Sequence, residues 1–155
     1  MTPTWFNTHD RIAALVAEAE SWRGTPFAGN SSAKGVGVSC QMLVGSLYAA
    51  VGCAGVTVDS IPEVPMAQAR FSSVSLVDAY FAGLPEGVFT LLEPDCEPLP
   101  GDVLGFRINR IVHHLGVALP GGQFIHALDG IGTNISALSD STWQSRLARI
   151  WRPCP

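Results

Sequence analysis

The spacing of apolar residues changes near Gly101, and this change limits the folds available to the chain. Upstream of it, two segments carry apolar residues at helical spacing, one ending at Trp22 and one beginning near Cys40. Downstream of it, apolar and polar residues alternate between turn-forming glycines and prolines, which predicts β-strands. Helices followed by an antiparallel sheet give an α+β fold, and 155 residues predict a single domain over 1–155.

Capping and turn residues set the expected limits of these elements. Asn7 or Thr8 caps the first helix, and Ser39 caps the second, which ends at Gly52 or Gly55. Residues 24–38 are rich in glycine and serine and are predicted to form a loop. The sheet is predicted to have about five strands, at 102–108, 112–119, 123–128, 133–138 and 147–152. Shorter elements are predicted as a helix at 75–81, a strand at 88–92 and one helical turn at 140–146.

Composition and charge exclude several classes of partner. The net charge is -4 with only nine Lys and Arg, whereas nucleic-acid binding needs clustered basic residues. No apolar run is long enough to span a membrane, and the N-terminus lacks the features of a secretory signal. The chain as written is therefore expected to start in the cytoplasm, and any action at a cell wall would require delivery.

Four cysteines are present, with no CxxC pair and no regular spacing, so free thiols are predicted. Cys40 stands at the expected start of the second helix. A thiol in the first turn of a helix lies at the positive end of the helix dipole, which favours the thiolate and lowers the pKa. Free cysteines are also common in cores, so the position alone does not distinguish a nucleophile from a packed side chain.

Three of the four histidines lie on two predicted strands joined by residues 120–122. With a three-residue loop, Gly116 faces His126, and His114 shares one face of the sheet with His126 while apolar side chains occupy the other. A two-residue loop would instead group His126 with His113. The better apolar match favours the three-residue loop, and therefore His114 over His113.

Cys40, His114 and His126 together have the elements of a nucleophile, a base and a residue that orients the base. His126 would accept a proton from one ring nitrogen of His114, leaving the other nitrogen free for the thiol proton. Two alternatives stay open: His126 as a hydrogen-bonded core histidine, and a metal site that includes His113. Adjacent histidines on a strand point to opposite faces, so no metal and no cofactor is predicted.

Five segments recur in the order of a known set of motifs. They are GTPF at 24–27, VSCQMLV at 38–44, PGDVLGF at 100–106, HLGVAL at 114–119 and QFIHA at 123–127. This series resembles the NlpC-type cell-wall cysteine peptidases, a papain-like family, over about residues 12–152. The resemblance implies that Cys40 is the nucleophile, His114 the base and His126 the polar third residue.

Three positions depart from the family pattern in the region that the resemblance assigns to substrate binding and the oxyanion hole. Phe27 replaces a tyrosine whose hydroxyl is a donor in the family. Ser39 replaces the aspartate before the nucleophile, and Gln41 replaces the serine after it. The backbone N–H of Cys40 can still serve as an oxyanion donor, and losing one donor typically costs about 10²–10³ in rate.

The resemblance implies a peptidase that cleaves peptidoglycan stem peptides at a D-glutamyl to diamino-acid bond through a thioester. The proline and glycine residues within 24–38, together with residues 31–35, resemble variants of this family found in phage tails and gene-transfer particles, which implies tail or envelope partners. The alternative is a weakened or inactive module that binds wall peptides or builds a phage tail. A further alternative is an amidase or acyl-transfer enzyme acting on a small intracellular amide.

Overall fold

The computed structural model describes residues 2–63 and 71–155, and it has the predicted α+β order. Residues 64–70 fall within the middle of the chain and lie outside the described residues. The helices are α1 (His9–Trp22), α2 (Cys40–Val51), α3 (Leu76–Ala82) and α4 (Ser141–Arg146). The strands are β1 (Ser32–Ala33), β2 (Gly37–Val38), β3 (Phe89–Leu92), β4 (Val103–Ile108), β5 (Ile111–Leu119), β6 (Gln123–Leu128), β7 (Gly132–Ala137) and β8 (Leu147–Pro153).

Side-chain caps explain where the first three helices begin. Thr8, Ser39 and Ser75 each accept a hydrogen bond from a backbone N–H in the first turn of α1, α2 and α3. Such caps satisfy donors that have no partner within the helix. Gly52 ends α2 in the left-handed conformation, at φ 78°, which glycine adopts without strain. The helix starts that the sequence predicts are therefore confirmed to within a residue.

The main sheet is antiparallel and has six strands, in the order β3-β8-β4-β5-β6-β7. The sequence predicts about five strands. The additional one is β3, at the predicted 88–92 segment, which pairs with β8 at one edge. Within the predicted 24–38 loop, β1 and β2 form a separate two-stranded sheet.

The core lies mainly between the helices and one face of this sheet. Leu43 and Leu47 of α2 pack with Val117 and Ile125 of the sheet, and all four are buried. A smaller apolar cluster on strands β4, β5, β6 and β8 packs against Trp143 of α4. The apolar face predicted for β5 and β6 therefore packs against α2, and the face that carries His114 and His126 is turned toward α4.

Gly101 and Asp102, within the PGDVLGF segment, are structural residues. Gly101 has a φ of 91°, and a Cβ atom there would lie 1.9 Å from Cδ2 of Phe6. The Asp102 carboxylate accepts two hydrogen bonds from the Arg152 guanidinium, at 3.0 and 2.8 Å, and one from the backbone N–H of Leu99. Both charged side chains are buried, so this pair fixes β8 to the start of β4.

Replacing Asp102 by alanine is expected to lower the free energy of unfolding by about 3–5 kcal/mol, because it leaves a buried guanidinium without its counter-ion. Urea unfolding monitored by circular dichroism measures the loss. Asp78→Ala is the matched control, since its pair with Arg149 is about one-third exposed and is expected to contribute at most about 1 kcal/mol. Similar losses in the two variants would contradict this assignment.

None of the helices in residues 2–63 and 71–155 is both long and apolar enough to cross a bilayer.

Candidate active site

Cys40 is the first residue of α2 and lies in the wall of a cleft. Its side chain is 5% exposed. The cap residue Ser39 precedes it, so the backbone N–H of Cys40 is among the first N–H groups of the helix, which have no acceptor within the helix. The sequence therefore predicts correctly both the helix start and the position of the thiol on it.

The protonation state of Cys40 differs from the prediction. The thiol donates its hydrogen to Oε1 of Gln41, with Sγ and Oε1 3.1 Å apart. Burial raises the pKa of Cys40 to about 12, and the carboxylate of Glu63 acts in the same direction. Backbone groups at Leu115, Gln41 and Cys40 itself lower the pKa by less than burial raises it. Desolvation therefore raises the pKa of Cys40 by more than the N–H groups at the helix start lower it, and the thiol of the resting site is neutral.

His114 and His126 are paired as the register predicts. Gly116 faces His126 across β5 and β6, and the loop between the strands holds residues 120–122. Nε2 of His114 lies 2.9 Å from Nδ1 of His126. Nε2 of His126 in turn lies 2.8 Å from Oγ of Ser136 on β7. The three side chains form one hydrogen-bonded row across three strands.

This row determines which nitrogen of His114 can act as a base. If Ser136 accepts a proton from Nε2 of His126, then Nδ1 of His126 accepts one from Nε2 of His114. Nδ1 of His114 then has its lone pair free. The reverse direction, with Ser136 donating, places a proton on that Nδ1 and removes the base. A serine hydroxyl can donate or accept, and only the direction in which Ser136 accepts leaves Nδ1 of His114 basic.

If Ser136 accepts from His126, Ser136→Ala is expected to reduce the fraction of His114 that carries its proton on Nε2, because a hydrogen bond that stabilises this tautomer is lost. A bond of about 1 kcal/mol corresponds to roughly a fivefold change in the tautomer ratio. Ring ¹⁵N chemical shifts measure the ratio. Ser136→Thr keeps the hydroxyl and serves as the control, and an unchanged ratio in the alanine variant would show that Ser136 does not select the tautomer.

Aromatic rings surround the histidine pair. The Trp143 ring of α4 lies 5.3 Å from the His114 ring and 4.8 Å from the His126 ring, between centroids. Burial lowers the pKa of His126 to about 4. Burial, and then the neighbouring His126, hold the pKa of His114 well below its usual value. Both imidazoles are therefore neutral near pH 7.

His113 lies in the cleft wall as well, contrary to the expectation that it faces away from His114. The pairing of β4 with β5 shifts between Phe106 and Arg107, so His113 has no partner opposite it and forms a bulge. A bulge breaks the alternation of side chains and redirects one of them. Strict alternation is the assumption that fails here.

Three further predicted site residues lie close to the nucleophile. Phe27 is half-buried and lines the cleft, with no hydroxyl to offer. Gln41 also lines the cleft and is 2% exposed. Ser39 is fully buried and does not line the cleft: its hydroxyl caps α2 and donates to Oε2 of Glu63 at 2.8 Å. A direct contact between Ser39 and a ligand is therefore not expected.

Sequence reasoning overlooks three of the residues around the site. Ser136 and Glu63 belong to no recognisable local motif. Only the tertiary fold brings Ser136 to His126 and Glu63 to Ser39. Trp143 could have been recognised in the sequence. It is a large aromatic residue in the otherwise polar segment DSTWQSR, and such a residue usually has a packing or binding partner. In the described part of the chain, no group of three or more His, Cys, Asp or Glu side chains is arranged to hold a metal ion.

The cleft has a volume of about 1220 Å³ and contains side chains of both charges. Cys40, Gln41 and His114 lie in its wall. The charged residues that line it are Glu63, Arg107, Asp129 and Arg146. Its size and mixed charge suit a polar ligand of several residues rather than an apolar molecule.

Solved structures of low sequence identity share this fold. A lipoprotein-like NLP/P60 protein from Staphylococcus aureus is 21% identical over the whole of this chain, with a TM-score of 0.66. A Bacillus cereus NlpC/P60 protein is 22% identical over 99% of this chain, with a TM-score of 0.63. This chain covers 45% and 42% of those two proteins. The NlpC/p60 domain of the peptidoglycan hydrolase SagA is 21% identical over 89% of this chain and 95% of the domain, with a TM-score of 0.55.

Among curated proteins, none matches the chain. None of the three structures is described as a phage-tail protein, so the resemblance of residues 31–35 to tail variants remains a prediction. The family model described as the NlpC/P60 family matches residues 24–152, a range that includes Cys40, His114 and His126. This chain belongs to the NlpC/P60 family.

Proposed function

We propose that this protein is a cysteine peptidase that cleaves peptidoglycan stem peptides, with Cys40 as nucleophile, His114 as base and His126 as the residue that orients the base. The observation that carries the proposal is the 2.9 Å contact between His114 Nε2 and His126 Nδ1, together with the presence of Cys40 and His114 in one cleft. A thiol at a helix start that shares a cleft with a paired imidazole supplies the groups that covalent thiol catalysis uses.

The acylation step moves one proton within the site. The Cys40 thiol gives its proton to Nδ1 of His114, and the thiolate attacks the carbonyl carbon of the peptide bond. The C–N bond then breaks, and His114 returns the proton to the leaving amine. The products are an acyl thioester on Cys40 and a free amine.

Deacylation regenerates the thiol. His114 takes a proton from water, the hydroxide adds to the thioester carbonyl, and the C–S bond breaks with return of the proton to sulfur. In both steps the proposed oxyanion donor is the backbone N–H of Cys40, which has no acceptor within α2. Phe27 adds no donor, so the oxyanion hole has one donor fewer than the family pattern implies.

The proposed substrate follows from family membership and from the cleft. SagA, a relative in fold, is described as a peptidoglycan hydrolase. Stem peptides carry amines and carboxylates along their length, and the cleft offers Glu63 and Asp129 as well as Arg107 and Arg146. We propose the bond between D-glutamate and the diamino acid as the site of cleavage, as the NlpC resemblance implies. Action at a wall would require that the protein be delivered there.

Incubation with the stem tetrapeptide L-Ala-γ-D-Glu-diaminopimelate-D-Ala tests the proposal. The expected products, identified by mass, are L-Ala-D-Glu and diaminopimelyl-D-Ala. Cleavage at another bond would show a different specificity. No cleavage of this peptide or of intact peptidoglycan by the folded protein would rule out the peptidase.

A second candidate function is a module that binds wall peptides without turnover. It is favoured by the neutral thiol hydrogen-bonded to Gln41 and by the missing hydroxyl at Phe27. Calorimetric binding of the tetrapeptide, with no product after prolonged incubation, would support this function instead.

A further inference from the structure

Gln41 is a buried amide whose two ends are both engaged. Its Nε2 donates to the backbone carbonyl of His113 at 3.2 Å, and its Oε1 accepts from the Cys40 thiol at 3.1 Å. A carbonyl can only accept, so the bond to His113 sets the orientation of the amide and turns Oε1 toward sulfur. The side chain is 2% exposed and has little room to reorient.

The direction of the thiol bond determines which form of Cys40 is favoured. A thiol has one proton, and while it is donated to Oε1 it is not donated to His114. Among residues 2–63 and 71–155, no hydrogen bond joins the Cys40 thiol to His114. Oε1 carries partial negative charge, so it stabilises the neutral thiol and repels a thiolate. The contact therefore opposes activation of the nucleophile in the empty site.

We propose that Gln41 is a positioning residue that holds Cys40 as a neutral thiol in the resting site and releases it to His114 when a peptide binds. The inference rests on the proposed function, because it takes Cys40 to be the nucleophile. A backbone N–H of the bound peptide replaces the thiol as the donor to Oε1. The S–H···O contact breaks, the proton passes from sulfur to Nδ1 of His114, and thiolate and imidazolium form together. No proton enters or leaves the site.

With this arrangement, Cys40 becomes a reactive thiolate only while substrate is bound. Thiolates react with oxidants and electrophiles far faster than thiols do. A site that forms the thiolate only on binding protects its nucleophile between turnovers. The serine found at this position in the family pattern is shorter than glutamine and does not have an amide to span the distance between β5 and sulfur.

The alkylation rate of Cys40 as a function of pH tests the proposal, measured by mass mapping after iodoacetamide treatment. Gln41→Met is the informative variant, because methionine has a similar length and no strong acceptor. We expect the pKa of Cys40 to fall by at least one unit in this variant, which raises alkylation at pH 7 by about tenfold or more. Gln41→Glu keeps an acceptor and adds charge, so it is expected to alkylate more slowly than the parent.

The three other cysteines are also free thiols, so their alkylation must be separated from that of Cys40. Cys96 is exposed and Cys154 is partly exposed, so both are replaced by serine in all proteins compared. Cys53 is buried with a pKa of about 12 and stays as an internal control whose rate does not change among the variants. The titratable groups that line the cleft with Cys40 are common to all variants: Glu63, Arg107, His113, His114, Asp129 and Arg146.

The outcomes separate cleanly. A folded Gln41→Met protein that alkylates at the parent rate across the pH range would overturn the proposal, and so would faster alkylation of Gln41→Glu. If Gln41→Met does not fold, thiolate absorbance at 240 nm in the parent decides: titration of Cys40 below the ordinary value of about 8.5 overturns the proposal. Alkylation does not depend on turnover, so failure to cleave the tetrapeptide would refute the peptidase without deciding the role of Gln41.

Discussion

Cys40→Ala is expected to lower hydrolysis of the stem tetrapeptide by at least about 10⁴-fold, because it removes the atom that forms the thioester. The side chain is small and lies at the first turn of α2, so the fold should tolerate the change. Product formation followed by mass spectrometry measures the rate, and a trapped thioester in the parent protein identifies the acylated residue.

Two other cysteines provide matched controls for this result. Cys53 is 3% exposed and packs in the core, so Cys53→Ala should lower thermal stability while kcat remains near the parent value. Cys96 is exposed, and Cys96→Ser should change neither quantity. Loss of hydrolysis in either control, or its survival in a folded Cys40→Ala protein, would mean that the nucleophile lies elsewhere.

Local signals in the sequence predict most of the fold. The caps at Thr8, Ser39 and Ser75 and the glycine at position 52 act within one turn, so they can be recognised without tertiary information. The hairpin register is predictable for a similar reason. The three-residue loop pairs Val117 with Ile125 on the core face, and a one-residue slip would turn His126 toward the core instead.

The parts that could not be predicted depend on contacts between distant segments. The expected thiolate at Cys40 considered only its own helix, whereas its pKa is set by burial under the sheet and by Glu63. The orientation of His113 depends on a bulge whose cause is the pairing of β4 with β5. Ser136 joins the histidine row only because β7 lies beside β6. Each of these requires the assembled sheet.

The middle of the chain illustrates the same limit. Its short helix and strand are predicted at 75–81 and 88–92, and both are present as α3 and β3. The sequence gives no indication, however, that β3 pairs with β8, or that Glu63 binds the cap of α2. Secondary structure is a local property here, while the electrostatics of the candidate site are not.

His114→Ala is expected to reduce hydrolysis by about 10³–10⁴-fold, since it removes the proposed base, which takes the thiol proton and returns it to the leaving amine. His114→Gln should lose as much activity, because an amide can hydrogen-bond to His126 but cannot act as a base. His113→Ala should change KM more than kcat, because His113 lines the cleft and its contact with Gln41 is made by the backbone carbonyl. Steady-state kinetics on the three folded variants measure these effects.

The pH dependence of the parent protein adds an independent check on His114. Burial and His126 hold its pKa well below the ordinary value of about 6.5, so its neutral, basic form persists as the pH falls. The value of kcat/KM should therefore stay level down through pH 6.5 and decline only in more acidic solution, when His114 becomes protonated. A decline centred near pH 6.5 would instead indicate a solvated histidine as the base. If His113→Ala then abolished kcat while His114→Ala did not, His113 would be the base and the bulge would be the feature that positions it.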